Sequence, residues 1–180
     1  MPEPLEFQIA LYPEPVLRKV ADPVQVFDAE LERIVAAMYQ RMFDSEGLGL
    51  AAPQVGLRQR ILVINEASNS DEPENNVTLI NPRIVSRDGE KTTWEEGCLS
   101  FPEIYAEVVR PDRCTVEAVD VRGEPLHREF SGFLSRIVQH EYDHLEGILL
   151  VDRMTPADKL KNKVALEELV AEYKDRQSPT

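Results

Sequence analysis

The chain has 180 residues, of which 42% are hydrophobic and 29% are charged, which is ordinary for one globular domain with a core of its own. Its net charge of -13 and isoelectric point near 4.7 argue against a DNA- or RNA-binding protein, because nucleic-acid phosphates require clustered lysine and arginine. With no secretory signal pattern and no apolar run long enough to span a membrane, the sequence predicts a cytoplasmic location. An organellar protein whose transit peptide has been removed is the alternative.

The first part of the chain predicts an extended arm followed by a helix. Five prolines in residues 1–27 prevent long regular elements there, so we expect an arm packed on the domain. From Asp28, a suitable N-cap, apolar residues recur at helical spacing until Gly47, a suitable stop. The apolar positions of this helix are Leu31, Ile34, Val35, Met38 and Met42.

Residues 47–56 read Gly-Leu-Gly-Leu-Ala-Ala-Pro-Gln-Val-Gly and carry few bulky side chains. Such a bare backbone suits a segment that runs close to a ligand or to another strand, and Gln54 is its sole polar side chain. The segment lacks the Lys-Ser/Thr pair of a phosphate-binding loop. A tight connection between a strand and a turn, without any functional role, is the alternative interpretation.

The middle of the chain predicts short strands joined by polar turns. We expect a polar surface loop at residues 66–76 and a turn at residues 87–90. A further turn at residues 122–125 reverses the chain. The predicted strands are residues 61–64, 77–80, 83–85, 108–110, 114–121 and 126–130.

Residues 131–147 predict a helix with a serine N-cap and a glycine stop, and this helix contains the sequence His-Glu-Tyr-Asp-His. His140 and His144 are four residues apart, so they lie on the same face of the helix, where both can bind one divalent cation. Glu141 can then take a proton from a metal-bound water, as in H-E-x-x-H metal hydrolases. One stripe of the helix contains Phe133, Ile137, His140 and His144.

Two histidines are too few protein ligands for a metal site. Four kinds of candidate for a third ligand remain open: Cys98, Cys114, His127 and carboxylates such as Asp143. Cys98 is the best of these because it lies in a polar turn beside a glycine, whereas Cys114 falls on the apolar side of a strand. Three protein ligands and one open position are typical of a catalytic site rather than a structural one.

The last part of the chain predicts a helix that begins with Thr155 as N-cap and Pro156 at its first position. Its lysine- and glutamate-rich face is typical of a solvent-exposed surface, and contact of its lysines with an acidic partner is the alternative. The positions that we expect to be buried are Leu166, Leu169, Val170 and Tyr173.

Three segments of the chain resemble, in the same order, the three signature motifs of peptide deformylases: residues 47–54, 96–100 and 139–144. The resemblance extends to residues 12–18 and to Asn81-Pro82, so it covers most of the chain. Residues 101–105 and 136–139 look most similar to the type 1B branch, which has bacterial and plant-organelle members. Three independent motifs in order are far more specific than a single H-E-x-x-H pattern.

The resemblance implies a hydrolase of protein biosynthesis that removes the formyl group from the N-terminal formyl-methionine of nascent polypeptides and releases formate. It implies one divalent metal ion, natively Fe(II), with Zn, Ni or Co as substitutes. Contact with the ribosome near the exit tunnel is a further expectation. We expect residues 1–180 to form one α+β domain, with antiparallel or mixed β-sheets around a central metal-binding helix, an N-terminal helix and a C-terminal helix.

The resemblance also assigns catalytic roles to residues of this chain. Cys98, His140 and His144 would bind the metal ion. Metal-bound hydroxide would attack the formyl carbon, with Glu141 as the general base and then the acid that protonates the leaving amine. The side chain of Gln54 and the backbone N–H of Leu99 would stabilise the oxyanion.

The methionine pocket of the family corresponds to a mixed set of residues in this chain. Arg136 is unusual among them, and we expect its charged end to point past the pocket while its stem contributes to the wall. Tyr105 stands where some members of the family carry an arginine that meets the substrate peptide. The expected substrate-binding residues are Leu48, Gly49, Trp94, Tyr105, Phe133, Arg136 and Ile137.

A buried Asp143 would need a cationic partner, and Arg110 is the candidate that we expect. Two other functions also fit the helix with two histidines. A metalloprotease would use a glutamate or histidine beyond the helix as its third ligand, and a metal-stabilised peptide-binding domain would have no hydrolytic activity.

Overall fold

The computed structural model describes residues 2–179 and has the expected α+β architecture. Its single five-stranded sheet is antiparallel throughout, with the strands in the order of the sequence. The strands are β1 Gly49–Ala51, β2 Ile61–Asn65, β3 Asn76–Cys98, β4 Phe101–Val119 and β5 Pro125–Ser131. The helices are α1 Ala29–Asp44, α2 Gly132–Leu145, α3 Leu150–Arg153, α4 Pro156–Lys161 and α5 Lys163–Gln177. Three short 3-10 helices span Pro15–Arg18, Ala52–Val55 and Pro73–Asn75.

The predictions for the arm and for α1 are confirmed. The carboxylate of Asp28 accepts a hydrogen bond from the backbone N–H of Leu31 at 3.0 Å, as an N-cap should. Four of the five predicted apolar positions are buried, and Ile34 is half-buried. The arm is fixed to the domain by backbone hydrogen bonds, such as the 2.7 Å bond from Ala10 N–H to the carbonyl of Gln54.

The predicted strands at residues 61–64 and 126–130 are confirmed as β2 and β5, whereas the other four predicted strands are wrong in their lengths, because they fuse pairwise into the long strands β3 and β4. β3 runs without a break through the predicted turn at residues 87–90 and pairs with β4 over most of its length. Gly89 adopts a φ of 82° where the register shifts between Asp88 and Lys91, so the turn residues form a bulge instead of a reversal. Cys98 lies at the end of β3, where the chain turns into β4.

Helix α2 packs across the sheet, and this packing positions the functional site. Its buried residues Ile137, Val138 and Leu145 belong to one hydrophobic cluster with apolar side chains of the strands. The chain enters α2 at Ser131, whose side chain makes no capping hydrogen bond, and leaves it at Gly147 with a φ of 72°. The strand residues in this cluster include Leu62, Ile64, Leu79, Cys114, Val116, Ala118 and Phe130.

The predicted C-terminal helix is two helices, α4 and α5, which meet at Asn162. The side-chain amide of Asn162 donates to the carbonyls of Tyr105 at 3.1 Å and Asp158 at 3.0 Å, and so ends α4 against the sheet. Thr155 caps α4 as expected. Of the four positions expected to be buried, only Leu169 is; the other three are half-buried. Among residues 2–179, no helix is both long and apolar enough to cross a membrane.

Candidate metal centre

The structure brings together one cysteine from the end of β3 and two histidines from α2. The ligand atoms of Cys98, His140 and His144 all lie within 4.8 Å of one another. The sulfur of Cys98 is 3.4 Å from Nε2 of His144. A helix places side chains four residues apart one above the other, and the turn after β3 brings the thiol to this face.

The other candidates for the third ligand lie elsewhere. Cys114 is buried and accepts a hydrogen bond from Ser135 at 3.4 Å. The side chain of His127 is 65% exposed, on β5. The carboxylate of Asp143 is hydrogen-bonded to arginines. The cluster therefore contains a cysteine, which was the feature expected to distinguish a deformylase from a metalloprotease.

The three side chains fit one divalent cation such as Fe(II) or Zn(II). A thiolate and two imidazoles are ligands that these metals accept, and three protein ligands are the number that a catalytic site uses. Burial, with repulsion from His140 and Arg110, lowers the pKa of His144 well below its usual value, so its imidazole is neutral and keeps a lone pair for a metal. Nδ1 of His144 is buried and has no hydrogen-bond partner among residues 2–179. Cys98 is half-buried, which leaves its thiol accessible.

His140 is oriented by a carboxylate. Nδ1 of His140 lies 2.9 Å from Oε1 of Glu96, so Nε2 is the ring nitrogen left for a cation. Burial acts to lower the pKa of His140, but hydrogen bonds with Cys98 and Glu96 outweigh it and raise the pKa. A cation therefore competes with a proton at this imidazole.

Glu96 is a functional residue that the sequence interpretation missed. Its buried carboxylate accepts hydrogen bonds from Nε of Arg110 at 2.7 Å, Nη2 of Arg110 at 3.0 Å and Nη1 of Arg136 at 2.6 Å. Burial acts to raise the pKa of Glu96, but the hydrogen bonds from His140 and Arg110 outweigh it and lower the pKa far below its usual range. The carboxylate is therefore charged. Its only sequence signal was its place two residues before Cys98 in a motif.

The expected pair of Asp143 and Arg110 is confirmed, and the structure adds a second arginine. Oδ2 of Asp143 accepts from Nη1 of Arg110 at 3.0 Å, and both side chains are buried. Arg153, from α3, donates to both oxygens of the same carboxylate at 3.0 and 2.8 Å. Arg110 therefore bridges Glu96 and Asp143, and Glu96 connects this ion network to His140.

Glu141 is buried beside the cluster, with only 4% of its surface exposed. Burial, the largest cause, raises its pKa to about 7. Its Oε2 atom has no hydrogen-bond partner among the described residues. A Cβ atom at Gly49 would lie 2.9 Å from Oε1 of Glu141, so only a glycine leaves room for the carboxylate here.

Gln54 is fixed with its amide nitrogen toward the cluster. Its Oε1 accepts from the backbone N–H of Ala51 at 3.0 Å, and its Nε2 donates to Oγ of Ser100 at 3.2 Å. The same nitrogen is 3.6 Å from the sulfur of Cys98. The bare segment at residues 47–56 therefore runs beside the site, as one of its two interpretations predicted.

A cavity of about 550 Å³ adjoins the cluster, and neither Gln54 nor His144 is among the residues that line it. Its wall includes His140, Glu141, Cys98 and Leu99. Trp94 is not part of the wall; it is 52% exposed and stacks on Phe133, with ring centroids 5.8 Å apart. The other predicted substrate-binding residues do line the cavity: Leu48, Gly49, Tyr105, Phe133, Arg136 and Ile137.

The charged end of Arg136 is held by hydrogen bonds within the protein. Its guanidinium donates to the carboxylate of Glu96 and to the carbonyls of Val108 at 2.9 Å and Thr92 at 2.8 Å. All of its charge is therefore neutralised within the protein, and its stem is what remains for the cavity wall.

A sequence model of the family described as polypeptide deformylase matches residues 7–160 of the chain. The peptide deformylase of Thermotoga maritima is 41% identical over 168 residues, which cover 93% of this chain and 99% of that protein. Peptide deformylase 1B of Arabidopsis thaliana, chloroplastic or mitochondrial, is 41% identical over 169 residues, which cover 94% of this chain and 62% of that protein.

Two solved structures of peptide deformylases have folds similar to that of this chain. A crystal structure of peptide deformylase from Plasmodium falciparum superposes with a TM-score of 0.93 and 41% identity, covering 96% of this chain and 100% of that chain. A plant peptide deformylase of type 1B superposes with a TM-score of 0.92 and 40% identity, covering 97% of this chain and 95% of that chain. Both sequence and fold therefore indicate one family.

Proposed function

The chain belongs to the polypeptide deformylase family, hydrolases that remove the N-formyl group from nascent polypeptides, and from this premise we propose how its own residues perform the reaction. The substrate is the N-terminal formyl-methionine. The formyl C–N bond breaks, water supplies the new C–O bond, and the products are formate and a free amino terminus. We propose that residues 1–180 form one metallohydrolase domain.

Cys98, His140 and His144 hold one divalent cation in this proposal. A thiolate and two neutral imidazoles leave net positive charge on a divalent ion. When bound, the cation supplies Lewis-acid chemistry that activates water and polarises the formyl oxygen. We propose Fe(II) as the native ion, with Zn, Ni or Co as functional substitutes, because the same donor set accepts all of them.

Glu141 acts as the general base and then as the general acid. Its buried carboxylate faces the cavity with one oxygen unpartnered, so that oxygen is free to accept a proton from the attacking water. A pKa of about 7 suits both steps, since the same group must take up a proton and then give it to the leaving amine near neutral pH. Proton transfer of this kind contributes about 100- to 10,000-fold in rate.

Gln54 and the backbone N–H of Leu99 stabilise the negative charge that develops on the formyl oxygen. The amide of Gln54 is held by Ala51 and Ser100, so its nitrogen needs no reorganisation during the reaction. Leu99 follows Cys98 directly and lines the cavity, which supports this role for its backbone N–H.

The methionine side chain occupies the apolar part of the cavity. Leu48, Ile137 and Phe133 supply the apolar wall, and the stem of Arg136 adds to it. Because Gly49 has no side chain, the substrate backbone and the carboxylate of Glu141 can both come close to it. Any side chain at this position would meet the carboxylate. Trp94 acts through Phe133, on which it stacks, and Tyr105 lies at the cavity wall where the peptide leaves.

The enzyme is proposed to work in the cytoplasm on chains emerging from the ribosome near its exit tunnel, without DNA or a membrane as partner. Plant relatives carry the names chloroplastic or mitochondrial, which supports an organelle as the alternative location.

One observation carries the proposed activity: the sulfur and the two imidazoles converge beside a buried carboxylate, and Cys98, His140 and Glu141 line one cavity. The test is formate release from a formyl-methionyl peptide by the metal-loaded protein, with and without a chelator. We expect release that stops on chelation and returns when Fe(II), Ni(II) or Co(II) is added. A fully metallated protein that leaves the peptide untouched would overturn the proposal.

A further inference from the structure

A series of polar contacts connects the short helix α3 to the metal centre. It begins at Arg153, whose guanidinium binds the carboxylate of Asp143. Arg110 joins that carboxylate to the carboxylate of Glu96. Glu96 in turn contacts Nδ1 of His140 at 2.9 Å. A side chain near the C-terminal end of the chain is therefore linked to a metal ligand through buried charged groups.

Arg153 is the one member of this series with a largely accessible side chain. It is 40% exposed, whereas the side chains of the other four members are at most 11% exposed. Its Nε donates to Oδ2 of Asp143 at 3.0 Å, and its Nη2 donates to Oδ1 at 2.8 Å. Two parallel N–H donors of this kind fix the plane of a carboxylate as well as its position.

The carboxylate of Asp143 depends on Arg153 for one of its two oxygens. Among residues 2–179, Oδ1 of Asp143 accepts a hydrogen bond from Arg153 alone. A buried carboxylate oxygen without a partner is costly, so without Arg153 the group should move toward Arg110 or toward water. Arg110 also holds Glu96 through two other N–H groups, so a shift of Asp143 should disturb Glu96 as well.

Helix α3 is held in place independently of Arg153. The flanking residues Leu149 and Met154, and Leu150 within the helix, are buried in one hydrophobic cluster against which Cys98 also packs. On the exposed side, Asp152 forms an ion pair with Arg18 of the N-terminal arm. The backbone that carries Arg153 is therefore fixed to the domain, and its guanidinium can serve as an anchor for Asp143.

We propose that Arg153 is a positioning residue of the metal centre. It fixes Asp143 and, through Arg110 and Glu96, holds the ring of His140 in the orientation that binds the cation. This inference rests on the proposed function, because it requires the cation. Arg153 does not line the cavity, so it acts through other groups rather than on the substrate.

Loss of Arg153 has two effects of opposite sign on metal affinity. Removing a positive charge strengthens the binding of a cation, whereas loosening His140 weakens it. The charge of an exposed guanidinium is screened by solvent and salt, so its direct effect on the cation is small. We therefore expect the loosening to dominate, and the sign of the measured change distinguishes the two effects.

The test measures the affinity of the protein for Co(II), by competition with a coloured chelator. Arg153→Met should bind Co(II) about 3- to 10-fold more weakly, which is less than the 10- to 100-fold typical of a direct partner of a ligand. The absorption spectrum of bound Co(II) should also change, because it reports the geometry of the ligands. Arg153→Lys keeps the charge but loses the paired donors, so its affinity should fall in the same direction.

Arg18→Met is the matched control. It removes the other ion pair of α3, and the side chain of Arg18 is 46% exposed, close to the value for Arg153. Its melting temperature should fall about as far as that of Arg153→Met, while its Co(II) affinity and spectrum should not change. A general loosening of α3 would instead change both variants alike.

A double variant tests whether Arg153 acts through Glu96. If it does, adding Arg153→Met to Glu96→Gln should weaken Co(II) binding little beyond Glu96→Gln alone, because both changes interrupt the same series of contacts. Losses that add in full would mean that Arg153 acts by another route and would overturn the inference.

The outcomes separate the two proposals. Failure of the unmodified protein to bind Co(II) would overturn the proposed metal centre itself. Equal or tighter binding by Arg153→Met would leave the metal centre standing and overturn the positioning role. Equal losses of affinity in Arg153→Met and Arg18→Met would assign the effect to the docking of α3 and would also overturn that role.

Discussion

Oε1 of Glu96 lies 2.9 Å from Nδ1 of His140, while Nε of Arg110 donates to the other oxygen of the same carboxylate at 2.7 Å. One buried carboxylate therefore sets the orientation of an imidazole and is itself fixed by a guanidinium. Such contacts behind a metal ligand determine which ring nitrogen faces the metal and how basic it is.

Replacing Glu96 should therefore weaken metal binding. For Glu96→Gln we expect a loss of about 10- to 100-fold in metal affinity, because the histidine loses its carboxylate partner. The melting temperature should also fall, since Arg110 and Arg136 are left buried with less negative charge. Competition with a coloured chelator measures the affinity, and thermal unfolding measures the stability.

The neighbouring Glu95→Gln variant is the matched control for metal affinity. Glu95 is exposed on the same strand, one residue before Glu96. An unchanged affinity in Glu96→Gln, or equal losses in the two variants, would contradict the positioning role.

Glu141→Gln should give a protein that binds metal and does not turn over. The amide keeps the size of the side chain but cannot accept a proton from water, so kcat should fall by about 100- to 10,000-fold. Metal content by elemental analysis should stay near one ion per chain. Deformylation close to the normal rate would remove Glu141 from its acid-base role.

Gln54→Leu should lower kcat by about 100-fold or more, because it removes one donor to the developing oxyanion. The metal content should not change, since the cluster consists of other side chains. If the metal is lost instead, the hydrogen bonds of Gln54 to Ala51 and Ser100 serve mainly to hold the structure together.

Glu46→Gly should stabilise the protein. Glycine adopts the left-handed backbone of this position without the Cβ cost, and the helix end loses a negative charge, for a gain of about 1 kcal/mol in the free energy of unfolding. Denaturant unfolding measures the change, and Glu32→Gly in the first turn of α1 is the control, which should be destabilising. A destabilised Glu46→Gly protein would show that its side chain contributes packing.

The buried phenol of Tyr39 should make the protein less stable at alkaline pH. Burial raises the pKa of Tyr39 to about 12, against an opposing hydrogen bond with Thr78 at 2.9 Å. Below pH 10 the phenol is protonated in both folded and unfolded chains, so it adds no pH dependence. Between pH 10 and about 12 only the unfolded chain releases the proton, so stability falls as pH rises.

The comparison with Tyr39→Phe isolates this effect. Denaturant unfolding across that pH range should show a steeper loss of stability in the unmodified protein than in the variant. Parallel curves for the two proteins would mean that the phenol has an ordinary pKa in the folded state.

Short-range physics explains which features could be predicted from the sequence. The extent of α1, its Asp28 cap, and the stop of α2 at Gly147 depend on residues within one or two turns of each other. The spacing that puts His140 and His144 on one face of the helix also depends only on residues within about one turn. A polar turn beside a glycine favoured Cys98 as the third ligand, the resemblance to deformylases assigned it the same role, and the structure brings the three side chains together.

Other features depend on contacts between residues far apart in the chain, which no local pattern specifies. The predicted turn at residues 87–90 became a bulge because β4 was available as a partner along the whole of β3. The role of Glu96 depends on three residues that converge on its buried carboxylate: Arg110, Arg136 and His140. They lie 14, 40 and 44 residues from Glu96 along the chain. The sequence by itself determined the types of the metal-ligand residues and the helix that carries the two histidines. Only tertiary packing decided which buried charges neutralise each other. A charge that is removed from water is costly without a partner, and the fold alone supplies that partner.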